Sequence, residues 1–276
     1  MKYRNQIIGA LASVLLMGCA TNPFTGKKTL ALVSNSQIFP MAFQQYDQFL
    51  SQNKVVKGTS DAEMITRIGQ KISKAAERWF NANGHPEYLE GYKWEYNLVD
   101  DKTVNAWCMP GGKIVFYTGI LPIAANEAGI AAIMGHEVAH ALANHGQQRM
   151  SAGQIQQVAG VAGSIAMSGK SAAAQQIFAQ AFGIGSQVGI MLPFSRSHET
   201  EADKIGINLM AIAGYNPEEA AKLWVRMKAN SSKSGNGAPP EMLSTHPSND
   251  TRIANLTKWA PEARREAAKF GVTSFK

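Results

Sequence analysis

Two histidines four residues apart, in the run His136-Glu137-Val138-Ala139-His140, constrain this chain more than any other feature. On a helix, residues at that spacing share a face, so both rings can aim a nitrogen at one metal ion. Glu137 sits beside that face, placed to take a proton from a metal-bound water. The apolar residues Ile130, Ile133, Met134, Val138 and Leu142 mark one side of a helix expected from near Asn126 to His145. On an exposed helix two histidines need no explanation. On a buried one, two unpartnered imidazoles are costly, and a zinc ion removes the cost.

The third ligand decides the class of site. One class requires Gly three residues after the second His and another His three residues later. Here those positions hold Ala143 and Gly146, and His145 falls one place early. His145 is therefore turned away from the motif's face and is read as a supporting or structural residue. The alternative is a carboxylate from a later helix, expected over about Glu199 to Ala213. Glu199 and Asp203 are four apart within Ser195-Arg196-Ser197-His198-Glu199-Thr200-Glu201-Ala202-Asp203. Glu199 can bind the metal while Asp203 accepts a hydrogen bond from the far nitrogen of a ligand histidine. Glu201 is expected to face solvent, and His198 is a competing ligand. An acidic first turn favoured by the helix dipole explains the same residues without a metal.

At 276 residues, 45% of them hydrophobic and 17% charged, the chain can bury a full core. No basic-aromatic interleaving or nucleic-acid module is present, which argues against nucleic acid as a partner. Lys2 and Arg4 precede the apolar run from Ile7 to Met17, too short to span a bilayer comfortably and shaped like an export leader. The run ends in Leu16-Met17-Gly18-Cys19, which resembles a lipobox. The expectation is a signal peptide at 1–18, a lipid on Cys19, a tether over 19–36 and a catalytic domain over 37–276. Loss of Lys2 and Arg4 takes the formal charge from +7 to +5. With Cys19 acylated, Cys108 has no disulfide partner, and its apolar setting suggests a buried, inert thiol. Ala20 after Cys19 favours the outer membrane within a bacterial envelope, with the domain on the periplasmic face.

Periodicity predicts a helical region from Ser36 to Phe80 and a strand over 94–99. A second strand, over 113–118, is expected after Gly111-Gly112. Between Arg149 and Arg196 only Lys170 is charged, which suggests a helical hairpin packed over the site or touching lipid; its glutamines argue against a membrane span. A further helix is expected from Pro217 to Ala229, and a flexible loop over 231–240.

His-Glu-x-x-His followed by Ser-Arg-x-x-Glu-x-x-Ala-Asp resembles the zinc endopeptidase family of HtpX, the CAAX prenyl endopeptidases and periplasmic lipoprotein relatives. Asn105-Ala106 through Pro110-Gly111-Gly112, with the strand after it, is similar to that family's substrate-side edge strand. Thr245-His246-Pro247 with Arg252 is similar to its downstream motif. The resemblance covers roughly residues 60–260. It implies a mainly helical α+β, zincin-like fold with a long active-site helix, a small sheet and a helical hairpin over the site. It also implies one zinc per chain on His136, His140 and Glu199, with Glu137 as general base and unfolded or misassembled envelope proteins as substrates. Asn105 is a substrate-binding candidate or a plain turn residue. His246 either donates to the oxyanion, fills the open metal position, or is an ordinary loop histidine. The rivals are a chaperone or assembly factor with latent proteolysis, and a metallohydrolase of cell-wall peptides.

Overall fold

A computed structural model of the chain describes residues 19–30, 32–187, 191–233, 241–246 and 250–276. The expected leader at 1–18, the loop at 234–240 and Pro247 lie outside the described residues. In chain order the first elements are β1 (Cys19–Thr21), β2 (Lys28–Leu30), α1 (Asn35–Gln52), β3 (Val55–Val56) and α2 (Ser60–Ala82). Next come β4 (Glu95–Val99), β5 (Ala106–Met109), β6 (Lys113–Tyr117), α3 (Leu121–Ala124) and α4 (Glu127–Leu142). The rest are α5 (His145–Met167), α6 (Ala172–Ser186), α7 (Leu192–Ile212), α8 (Glu218–Lys233), α9 (Glu241–Thr245) and α10 (Asp250–Lys269). The fold is mainly helical with a small mixed sheet, in line with the periodicities.

Contacts divide the chain into a smaller unit, Met1–Ser34 with Asn144–His198, and a larger one, Asn35–Ala143 with Glu199–Lys276. In the smaller unit, the stretch read as a tether contains the β1–β2 antiparallel pair, with Cys19 opposite Leu30. There α5 and α6 pack together as a hairpin.

In the larger unit, Val55–Val56 pairs with β4 and so breaks the helical run expected from Ser36 to Phe80. After it, the Thr59 hydroxyl accepts the Ala62 amide at 3.2 Å and starts α2 afresh. Ile65, Ile68, Ile72, Ala76 and Phe80 give α2 a buried face, which packs on α4 and β4.

The sheet order is β3-β4-β6-β5, with β4 and β6 parallel and the other pairs antiparallel. Gly111 and Gly112, at φ +83° and +87°, make the tight turn from β5 to β6 that a side chain would resist. This corrects one expectation: the strand at 113–118 is interior, flanked by β4 and β5, and the strands at the sheet's edges are β3 and β5. Local alternation marks a strand but carries no information about its neighbours.

Helix α4 is capped by Asn126, whose side chain accepts the Gly129 amide at 2.8 Å. It ends at Leu142, short of the expected His145, because Asn144 turns left-handed at φ +56°. Every residue from Ala128 to Leu142 is buried. Helix α7 begins at Leu192, earlier than expected, so Glu199 and Asp203 lie well inside it. That removes the first-turn dipole as the reason for them. Glu201 is also corrected: it is 5% exposed, because residues 201–203 and 205–207 are all buried and leave no free acidic face.

The two helices touch backbone to backbone. A Cβ on Gly135 would stand 2.7 Å from the Gly206 carbonyl oxygen, and one on Gly206 would stand 2.8 Å from Gly135 C. Gly206→Ala should therefore destabilise the fold by about 1–3 kcal/mol. Gly183→Ala, with open space around it, should be neutral or stabilising by up to about 1 kcal/mol. Urea midpoints of the two variants against the parent chain check the contrast.

Candidate metal centre

The Gly135–Gly206 crossing sets His136 and His140 of α4 opposite Glu199 and Asp203 of α7. His246, one residue past α9, completes the cluster. Ligand atoms of His136, His140, Glu199 and His246 all lie within 4.8 Å of one another, and all four residues are buried.

His136 Nε2 is 3.1 Å from His140 Nε2 and 3.3 Å from His246 Nδ1. Glu199 Oε2 is 3.3 Å from His136 Nε2, and its Oε1 is 3.4 Å from His140 Nε2. Both Glu199 oxygens are 3.0 Å from His246 Nδ1. A tetrahedral zinc site with bonds of about 2.0–2.1 Å has ligands about 3.3 Å apart. The donor set fits a zinc ion in spacing.

It fits in charge as well. Glu137, Glu199 and Asp203 are buried against one buried guanidinium, Arg252. With neutral imidazoles the cluster is left two negative charges in excess, which a divalent cation cancels.

The remaining contacts orient these groups. His136 Nδ1 donates to Asp203 Oδ1 at 2.9 Å, which fixes the tautomer and leaves Nε2 as the lone-pair nitrogen. Arg252 grips Asp203 with two bonds of 2.7 Å, and its third nitrogen lies 3.0 Å from Glu199 Oε2. The guanidinium stacks 3.7 Å above the Trp224 ring of α8. Burial opposes ionisation of Asp203, but the Arg252 charge and the His136 bond hold its carboxyl below the usual range. Burial likewise opposes Glu199, and its bonds to the three histidines hold it far lower. For Glu137 burial wins and raises the carboxyl. Its Oε1 makes no hydrogen bond, and His246 Nε2 is 3.6 Å away.

Other candidates fall elsewhere. His145 and His198 stack at 4.0 Å, and His198 Nε2 is 3.0 Å from Gln148 Oε1; neither joins the ligand cluster. Asn105 is buried at the start of β5, its Oδ1 accepting the Ala106 amide at 2.9 Å. Cys108 is a half-buried free thiol, pushed well above its ordinary range by burial and then by the Glu137 charge. The clamp of Arg252 on Asp203, and Trp224 beneath it, had no assigned role in the sequence. Residues 49 positions apart meet here without any local pattern to announce it.

The model of Peptidase family M48 matches residues 65–260. "Mitochondrial metalloendopeptidase OMA1" of Saccharomyces cerevisiae is 38% identical over 209 residues, covering 72% of this chain and 56% of that protein. The protein of that name from Schizosaccharomyces pombe is 36% identical, covering 70% of this chain and 53% of its own length. "Beta-barrel assembly-enhancing protease" of Escherichia coli is 27% identical, covering 93% of this chain and 50% of its own length. The chain thus spans about half the length of the curated relatives it matches.

These relatives overturn the expectation of a location on the periplasmic face of a bacterial outer membrane. Those at 36–38% identity are mitochondrial by name. The physical reason is that basic residues before an acid-free apolar stretch occur in more than one kind of targeting segment, so the leader carries no address alone.

In the metal-stripped protein, burial lowers the His136 pKa, and the bonds to Asp203 and Glu199 more than reverse this, raising it to about 9. A metal must then displace a proton near neutral pH, and apparent affinity should rise about tenfold per pH unit up to that pKa. Calorimetric zinc titrations in buffers of different ionisation enthalpy should show proton release; heats independent of the buffer would refute the assignment.

Proposed function

The chain belongs to peptidase family M48, and from that premise we propose that it is a zinc-dependent endopeptidase acting on unfolded or misassembled proteins. One observation carries the proposal: His136, His140 and Glu199 present metal-ligand atoms at tetrahedral spacing, with Glu137 and its unbonded Oε1 beside them. The bound ion would polarise the scissile carbonyl and lower the pKa of its water to about 7.

The chain's own residues supply the rest. Glu137 Oε1 is free to take a proton and, being raised by burial, to return it to the leaving amine. Asp203, clamped by Arg252, holds His136 in one tautomer and orientation. Strand β5 lies at one edge of the sheet and contacts α4, and an extended peptide could add beside it as a further strand, held by main-chain bonds that demand no particular sequence. Asn105, at the start of that edge, is proposed to assist peptide binding. The narrower grouping with HtpX and CAAX-type enzymes rests on motif spacing alone.

A second reading, latent proteolysis beside a chaperone-like role, is favoured by His246. Its Nδ1 stands within 3.3 Å of His136 Nε2 and of both Glu199 oxygens. There it takes the fourth corner, which a catalytic site leaves open for water. His246 is accordingly proposed to close the site at rest.

Glu137→Gln should reduce cleavage of an unfolded protein at least about 100-fold while binding persists, and chelator should act as strongly on the parent chain. His246→Ala should raise cleavage if His246 closes the site; a fall would mean that it serves the chemistry instead. Undiminished cleavage by Glu137→Gln would sink the endopeptidase proposal.

Cys19 is proposed separately as a lipid attachment point, on the strength of Leu16-Met17-Gly18-Cys19. Labelling with an alkyne-bearing fatty acid should mark the parent chain and fail with Cys19→Ser.

A further inference from the structure

Charge is divided between the two units in a way the total conceals. All 20 acidic residues lie in the larger unit, where 20 of the 27 basic residues balance them. The other seven fall in the stretches 1–34 and 144–198 and account for the whole net charge of +7; five of them, Lys27, Lys28, Arg149, Lys170 and Arg196, are among the described residues of the smaller unit. An acid-free segment of this size carries a field of one sign, which repels itself and attracts anionic surfaces.

The same unit leaves several branched apolar side chains uncovered. In the α5–α6 hairpin the inner face is filled by Phe178 and Phe182, which approach Gly163 and Gly160. Outside that contact Val158, Val161, Ile165 and Ile177 are 61%, 56%, 68% and 67% exposed. The first three recur at intervals of three and four, so they form one stripe along α5. Lys170 stands in the turn between the helices.

We propose that the smaller unit docks on an anionic phospholipid surface, with the α5 stripe and Ile177 entering the acyl boundary and the cations meeting headgroup phosphates. An apolar stripe joined to cations without acids is the pattern of helices that lie in a bilayer interface. The stripe along one side of α5 suits docking in the interface, and no single helix among the described residues is long and apolar enough to cross a membrane. A second copy of the chain is a poor occupant, because it would set this unit's cations against an identical acid-free face. The inference is independent of the proposed proteolysis and of acylation at Cys19.

The test uses the full chain with vesicles of phosphatidylcholine alone, or with about one third phosphatidylglycerol. Binding should be at least about tenfold tighter on the anionic vesicles and should weaken with salt. Hydrogen–deuterium exchange should slow in peptides spanning 155–182 only when those vesicles are present. Val161→Glu with Ile165→Glu, both at exposed positions, should abolish that protection without shifting the thermal midpoint. Protection confined to N-terminal peptides, equal binding to both vesicles, or hairpin protection arising from self-association in lipid-free protein would each overturn the proposal. Should the double variant unfold, exchange of the parent chain with the two vesicle types decides alone.

Discussion

The direct contact of Gly135 with Gly206 is the constraint on which the metal centre depends. Helices that touch backbone to backbone sit closer than side-chain packing allows, and this crossing is one residue from His136 and three from Asp203. At an ordinary interhelical distance of about 8–10 Å, short carboxylates on α7 would fall away from the rings on α4. The glycines therefore act on the chemistry through distance, while making no contact with any ligand atom themselves.

That proximity brings an electrostatic problem with it. Glu137, Glu199 and Asp203 are all buried within one cluster, and unpaired buried carboxylates would take up protons instead of staying charged. Arg252 meets two of them at once, seated on Trp224, and three imidazoles meet Glu199. A divalent cation balances what remains. Stability and chemistry are joined here: the groups that hold a metal are the groups that would destabilise the core without one.

The smaller unit follows a different physical logic. It has no acid, few aromatic residues (Tyr3, Phe24, Phe178, Phe182 and Phe194), and an exposed apolar stripe on α5. The larger unit has balanced charge and carries the metal cluster. Formal charge averaged over the whole chain would suggest only a mildly basic protein, and the asymmetry becomes visible once contacts assign each segment to its unit.

His136, Glu137, His140 and Glu199 could be picked out from sequence because helical periodicity is local: four residues apart means one face, whatever surrounds it. The apolar residues of α4, the alternation over β4 and the Gly111-Gly112 turn that opens β6 were legible because they too are local. What lay beyond reach was set by which surfaces meet. Alternation could not say that β6 is interior and β5 at an edge, because strand neighbours are chosen by pairings distant in sequence. Periodicity could not bury Glu201, which depends on what encloses α7, nor join Arg252 to Asp203 across 49 positions. His246 shows the division most sharply. Its sequence motif marked it as a candidate, but only the tertiary structure put its Nδ1 beside His136 Nε2 and both Glu199 oxygens, since a loop histidine's position is fixed by packing and not by any repeat along the chain.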